Sequence, residues 1–357
     1  MRNLDQLTAD KLLSINSPES LFSYSVGQAK EEYRFLARRW HPDCKPTPDA
    51  MQVFMHIVQL YRHARKKMAS GNWNEPCEKI EEESKGIRKF RLLDGTSKTC
   101  KYRISHPFEL GTMYVADNSV VFEVEHDFAE LFEQGRKRSH MLPIKNNSMA
   151  LEMSKYLPQI KHIFKTESAN ILVVRKTPDQ LLLSDVLSYF DGRLTPINHV
   201  SWILNNLLNL ACYLEWAGVT HNAIASTTFL ISPLRHNGML LGGWWYSTQV
   251  GQHLTYLPEA TLNCIPPDIL RSKRADARVD LELIKSIGRE ILGDAGGAHL
   301  ALDKSLPPDL VEWLQLPSSG SAFEDYKTFK REILPNAFGP PKFVNMQLDA
   351  DQLYKEN

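Results

Sequence analysis

Apolar residues recur at helical spacing in two early stretches and at every second position soon after, and this change of period divides the chain. Ala29, Tyr33, Leu36, Ala37 and Trp40 make one face of a helix. Phe54, Ile57, Tyr61, Ala64 and Met68 make a second stripe. Between them, Thr47-Pro48-Asp49 reads as a helix start: a capping hydroxyl, a proline at the first helical position and an acid in the first turn. Two stripes joined by a short polar turn predict an antiparallel helical hairpin. From Ile87 the period becomes two. Residues 87–93, a turn at Asp94-Gly95 and residues 101–104 predict one β-hairpin; 111–116, Asp117-Asn118 and 119–124 predict another.

Further along, the pattern predicts a helix over 150–163, a buried strand over 171–174 and a short helix over 181–190. Thr195-Pro196 reads as the start of a long helix with Val200, Ile203, Leu204, Leu207, Leu210, Ala211 and Leu214 on its apolar face, closed by Gly218. Another helix is expected from Asp280 through Ile291, ended by Gly293, with others near Leu310 and Tyr326. Strands followed by helices predict an α+β body of two lobes. Residues 74–86, with Pro76 and the run Glu78-Lys79-Ile80-Glu81-Glu82-Glu83, are too acidic and too poor in apolar residues for a core element. The expected organisation is therefore multidomain: a helical domain over 1–73, an acidic linker over 74–86, an α+β domain over 87–334 and a tail over 335–357.

Composition narrows the function classes. Lysine plus arginine and aspartate plus glutamate number 42 each, so no global field favours nucleic acid or an anionic membrane. Basic residues crowd the first domain, but without the aromatic interleaving that stacks bases, and nucleic acid is not the expected partner. The stretch from Trp202 to Trp216 is interrupted by Asn205, Asn206, Asn209 and Glu215, and no membrane span is expected. The first twenty residues, with Asp5, Asp10 and Glu19, lack the basic and apolar regions of a signal peptide; a cytoplasmic protein is expected, in a host cytoplasm if a virus encodes it. Cysteines 44, 77, 100, 212 and 264 form no C-x-x-C pair, so neither a zinc site nor a disulfide framework is expected. Cys212, inside an apolar helix, reads as a small core residue.

His41-Pro42-Asp43 sits at the tip of the expected helical hairpin, and Lys30, Arg34 and Arg38 lie four residues apart on another face of the first helix. With Leu21-Phe22, Tyr33-Arg34-x-Leu36-Ala37, Trp40-His41-Pro42-Asp43 and Phe54-x-x-Ile57-x-x-x-Tyr61, the segment from about Ser17 to Trp73 resembles the J-domain of DnaJ-type co-chaperones. The resemblance implies docking on the ATPase domain and linker of a DnaK-type (seventy-kilodalton heat-shock) chaperone. His41, Pro42 and Asp43 would be the activating loop, and Lys30, Arg34, Arg38 and Arg39 the electrostatic contact.

The second domain is similar to the protein-kinase-like fold over about residues 87–334. Its long helix leads into Val219-Thr220-His221-Asn222-Ala223-Ile224 and Phe229-Leu230-Ile231, where that family carries its catalytic loop and following strand. Met239-Leu240-Leu241-Gly242-Gly243-Trp244 stands at the metal-binding Asp-Phe-Gly, Ile265-Pro266-Pro267-Asp268 at Ala-Pro-Glu, and Asp280 at the family's buried aspartate. Phosphoryl transfer needs a carboxylate for the attacking hydroxyl and oxygen ligands for magnesium. Ala223 replaces the base, Thr228 the asparagine, and Gly242 or Gly243 the metal aspartate; Val121-Phe122-Glu123-Val124 offers no lysine, although Glu152 is a candidate for the helix glutamate. His221 survives and is expected to brace the loop. The resemblance thus implies a pseudokinase, with neither metal nor cofactor expected.

The leading expectation is a co-chaperone, not itself an enzyme, that brings a DnaK-type partner to a client held by the kinase-like domain. Two alternatives stand beside it. One is a divergent phosphotransferase using Asp268, Asp276 or Asp280. The other is a decoy that grips a kinase or host regulator and delivers it to the chaperone.

Overall fold

The computed structural model describes residues 4–15, 17–40, 53, 54, 56, 57, 60, 61, 63–65, 67, 68, 73 and 86–355. The chain divides into two compact units, Met1–Lys85 and Gly86–Asn357. The first has a helical core and the second is α+β with a five-stranded sheet.

In the first unit, helix Val26–Trp40 buries Ala29, Leu36 and Trp40. The described residues of 53–68 are helical too, and bury Val53, Ile57, Leu60 and Ala64 in the same core. The two stripes meet as expected: the Tyr33 and Tyr61 rings stack with centroids 4.2 Å apart, and Phe22 packs edge-on against Tyr61. Ahead of the long helix, the Ser23 backbone N–H and hydroxyl both donate to the Glu32 carboxylate, at 2.7 and 2.6 Å. Those two bonds fix how the chain enters the helix. The helix start expected at Thr47-Pro48-Asp49 and the linker over 74–85 lie outside the described residues.

The second unit opens with the hairpin β1 (Ile87–Arg91) and β2 (Ser97–Lys101) around Asp94-Gly95. The sheet follows: β3 (Ile104–Phe108), β4 (Gly111–Val115), β5 (Ser119–Glu125), β6 (Gln159–Lys165) and β7 (Ala169–Arg175), all antiparallel in the order β3-β4-β5-β7-β6. Residues 101–104 are thus not one strand. Lys101 ends β2 and Ile104 begins β3, where it pairs with Val115. One face of the sheet meets the hairpin through Phe90, Tyr114, Val121 and Ile171. The other, with Met113, Val120, Phe122 and Val174, joins the main core.

One helix expectation needs correction, and one helix was missed. Residues 150–163 are not one helix: helix Asn147–Met153 is capped by the Asn146 side chain, and Pro158 then precedes β6. A proline resists helix continuation, and Ile160, Ile163 and Phe164 gain ladder partners on β7. Helix Ala129–His140 was not anticipated. It carries few apolar residues and a central glycine, which ordinarily weakens a helix. Gly135 has a tertiary reason: a Cβ there would lie 2.7 Å from the backbone nitrogen of Trp245, so only glycine lets this helix reach the turn at Trp244–Tyr246.

Helix Leu183–Tyr189 follows the short strand β8 (Leu181–Leu182). The long helix runs His199–Trp216, beginning three residues after Thr195-Pro196. After it come β9 (Val219–Thr220), β10 (Phe229–Ser232), β11 (Asn237–Leu240) and β12 (Thr248–Gln249), with β9 paired to β12 and β10 to both β8 and β11. Helices Arg278–Ile291, Pro308–Gln315 and Ala322–Thr328 match the late expectations. The tail packs back: Met346, Leu348 and Tyr354 belong to the main core. Among the described residues no helix is long and apolar enough to cross a membrane.

Candidate functional site

Two clusters carry the expected site residues, one in each unit. In the first, Lys30, Arg34, Arg38 and Arg39 are exposed on helix Val26–Trp40, while Ala29, Leu36 and Trp40 are buried. Side chains four apart on a helix stack along one face, so Lys30, Arg34 and Arg38 form a row. Arg38 and Arg39 stand in the last turn, where cations complement the partial negative charge of the helix end. His41, Pro42 and Asp43, which follow at once in sequence, lie outside the described residues.

In the second unit the loop after β9 is held from below by helix Arg278–Ile291. Both carboxylate oxygens of Asp280 are used: the His221 and Asn222 backbone N–H groups each donate to one of them at 2.7 Å. Asn222 has φ +63, and its side-chain amide donates to the Tyr246 carbonyl at 3.0 Å. The Thr261 hydroxyl donates to the Asn222 carbonyl at 2.7 Å. Desolvation dominates the electrostatics here. Burial pushes Asp280 up to about 7 against the opposing pull of those two N–H donors. Burial likewise pushes His221 down to about 3, offset only in part by the Gly242 backbone, so the ring is neutral at ordinary pH. Its Nδ1 accepts from the Ala223 N–H at 3.3 Å, and the Trp244 ring stands nearly perpendicular to it with centroids 4.8 Å apart.

The five positions singled out in this unit come together. The Thr228 hydroxyl donates to the Ala223 carbonyl at 2.8 Å, and the Thr228 carbonyl accepts from the Leu241 N–H at 2.8 Å, which leads straight into Gly242. Gly243 has φ +84, and a Cβ there would lie 2.8 Å from the His221 ring and 3.0 Å from the Ala223 methyl. A Cβ on Gly242 would lie 2.8 Å from the Phe122 ring. The seam between sheet and helices is filled by rings: Trp245 stacks on Phe108 with centroids 5.5 Å apart and meets Phe122 edge-on at 5.3 Å. Beside it, Phe132, Leu172, Leu241 and Trp244 line a space of about 10 Å³, room for roughly one water.

This arrangement offers apolar surface where phosphate and magnesium need charged oxygen ligands. Among the described residues no cluster of histidine, cysteine, aspartate and glutamate could hold a metal ion. Glu152 is exposed and pairs with Lys155 at 2.7 Å, one turn along, so it does not serve the loop. The candidate relocated acids are engaged elsewhere. Asp268 and Asp276 both bind Arg278, at 2.7 and 3.0 Å, and Asp280 holds the loop. Sequence reasoning missed the stack of Phe108, Phe122 and Trp245, whose members are distant in sequence. The doubled Gly-Gly-Trp-Trp at 242–245 was the one local sign of it.

No protein-family model matches the chain, and no curated protein matches it.

Proposed function

We propose that this chain is a DnaJ-type co-chaperone, which recruits a DnaK-type chaperone and stimulates its ATPase while a kinase-like scaffold, inert in phosphoryl transfer, holds the client. The observation that carries the reading is the two-sided character of helix Val26–Trp40. Its apolar side is consumed by the core of the first unit, and its basic row stays exposed immediately before His41-Pro42-Asp43. An exposed basic helix followed in sequence by that tripeptide suits long-range attraction to an acidic partner surface.

The kinase-like reading is supported by the meeting of His221, Ala223, Thr228, Gly242 and Gly243 at one loop, and by the hold of Asp280 on that loop. Inertness is supported by what surrounds them: a methyl, a hydroxyl bonded to backbone, two glycines under aromatic rings, and acids already committed to Arg278 or to the loop.

The test is ATP turnover by a purified DnaK-type chaperone in the presence of the full chain. Stimulation is expected, and Arg34→Glu with Arg38→Glu should weaken it about tenfold at low salt and less at high salt, because exposed charges are screened. Stimulation unchanged by the charge reversal at every salt concentration would remove the basic row from the account.

A further inference from the structure

The segment after Pro340-Pro341 alternates, with Val344, Met346 and Leu348 turned inward and Asn345 and Gln347 exposed, and it is anchored at every few residues. Phe343 lies flat on the His236 ring, with centroids 4.1 Å apart, and His236 is itself stacked on Trp202 at 4.8 Å. Met346 and Leu348 are buried in the main core. Asp349 and Gln352 then cap one another reciprocally, each side chain accepting from the other's backbone N–H, and set a short helix at Ala350–Leu353.

From that turn two side chains reach in different directions. Asp351 pairs with Arg103, next to the start of β3, at 3.0 Å. The buried Tyr354 hydroxyl donates to Asp185 Oδ2 at 2.9 Å, and the other oxygen of Asp185 is 2.9 Å from Nε2 of His106 in β3. Burial and the adjacent Asp185 raise Tyr354 above its ordinary value, so it keeps the proton it donates. One segment therefore touches the turn at His236, helix Leu183–Tyr189 and Arg103, the residue before β3, and it reaches His106 of β3 through Asp185.

β3 is the strand that most needs such a hold. It is an edge strand, bonded on one side only to β4, and it contains Pro107, which has no N–H to give. His106 and Phe108 are two residues apart and share a face of the strand. Phe108 is the ring that stacks on Trp245. The anchor of the segment is thus one alternation away from the aromatic seam.

We propose that residues 343–354 are a strap that clamps edge strand β3 of the sheet to helix Leu183–Tyr189, so that its release loosens the Phe108–Trp245 seam without unfolding the helices beneath. The strap works through three separate attachments: a ring stack at Phe343, apolar burial at Met346 and Leu348, and the polar pair of Asp351 and Tyr354.

Hydrogen–deuterium exchange on the full chain tests it. Tyr354→Phe keeps the ring and removes the donor. It should raise exchange about fivefold in 104–108, 183–189 and 344–354 together, leaving 278–291 unchanged. Asp351→Ala, at an exposed position that puts folding at no risk, should raise 104–108 and 344–354 by about twofold or less. Faster exchange in 344–354 alone would overturn the proposal, because the segment would then be packed without clamping. A rise that includes 278–291 would overturn it as well, since the effect would be global. Unprotected amides at 344–354 in the unaltered chain would show that no strap exists.

Discussion

The basic row of the first unit and the loop cluster of the second are opposites in how they treat charge. Lys30, Arg34, Arg38 and Arg39 are exposed on a helix whose buried positions are Ala29, Leu36 and Trp40. At the loop, the titratable groups are buried and turned inward: His221 is held neutral by burial, and Asp280 gives both oxygens to backbone N–H groups. A charge left in water is available to a partner and contributes little to stability. A buried group with all its partners inside the protein is the reverse: it sets the fold and offers nothing outward. On this contrast, changes at the loop should cost stability, and changes on the basic row should cost partner binding alone.

The largest expected effect on stability comes from Asp280→Ala, which strands the His221 and Asn222 N–H groups in the interior. We expect a loss of about 4 kcal/mol, read as a lower denaturant midpoint for the second unit. A loss under about 1 kcal/mol, within the range of an ordinary surface change, would break the comparison. Gly243→Asp comes next. It supplies a carboxylate where the proposed kinase-like reading would need one for phosphoryl transfer, yet at φ +84 and with a Cβ 2.8 Å from His221 it should cost about 3 kcal/mol. It should also produce no magnesium-dependent stabilisation by ATP in a thermal-shift assay. A positive shift would mean that this loop region accepts nucleotide.

A pH series sharpens the same contrast. Burial holds His199 down to about 4 and His221 to about 3, against about 6.5 in the unfolded chain. These depressed groups contribute stability that is complete above about pH 6.5 and is lost as pH falls toward their folded values. Asp280, raised to about 7, acts the other way: its contribution is complete below its unfolded value and is lost as pH rises through about 7. Between about pH 4 and 6.5 the unfolded state therefore binds two extra protons at the histidines and the folded state one at Asp280. These three groups together give a loss of about 1.4 kcal/mol per pH unit on acidification, and His236, which burial also depresses, adds to it in the same direction. Asp280→Asn should steepen that slope toward twice its value, and an unchanged slope would show that Asp280 does not titrate in this window. The smallest expected stability effect is that of Arg34→Glu with Arg38→Glu, within about 0.5 kcal/mol by denaturant titration.

What could be read from the chain follows from how local each signal is. The stripes of Ala29 to Trp40 and Phe54 to Met68 face one another because a helical period on one surface needs an apolar partner, and Tyr33 on Tyr61 provides it. The loop positions were legible because His221, Ala223 and Thr228 are close in sequence, with Asp280 opening a well-marked helix. Helix Ala129–His140 was not legible, because its reason for tolerating Gly135 is the turn at Trp245, more than a hundred residues away. β6 was misread as helix because Ile160, Ile163 and Phe164 satisfy a helical spacing as well as a strand, and only pairing with β7 decides between them. The stack of Phe108, Phe122 and Trp245 and the hold of Tyr354 on Asp185 are purely tertiary. No period in the sequence marks either.

The central claim is that the basic helix and the tripeptide after it act on an ATP-driven chaperone. Single-turnover ATP hydrolysis by a purified DnaK-type chaperone, with the full chain and with its His41→Gln variant, tests it most directly. The account expects stimulation by the full chain and its loss in the variant, with the variant as stable as the parent. Equal stimulation by both, or none by either, would contradict it.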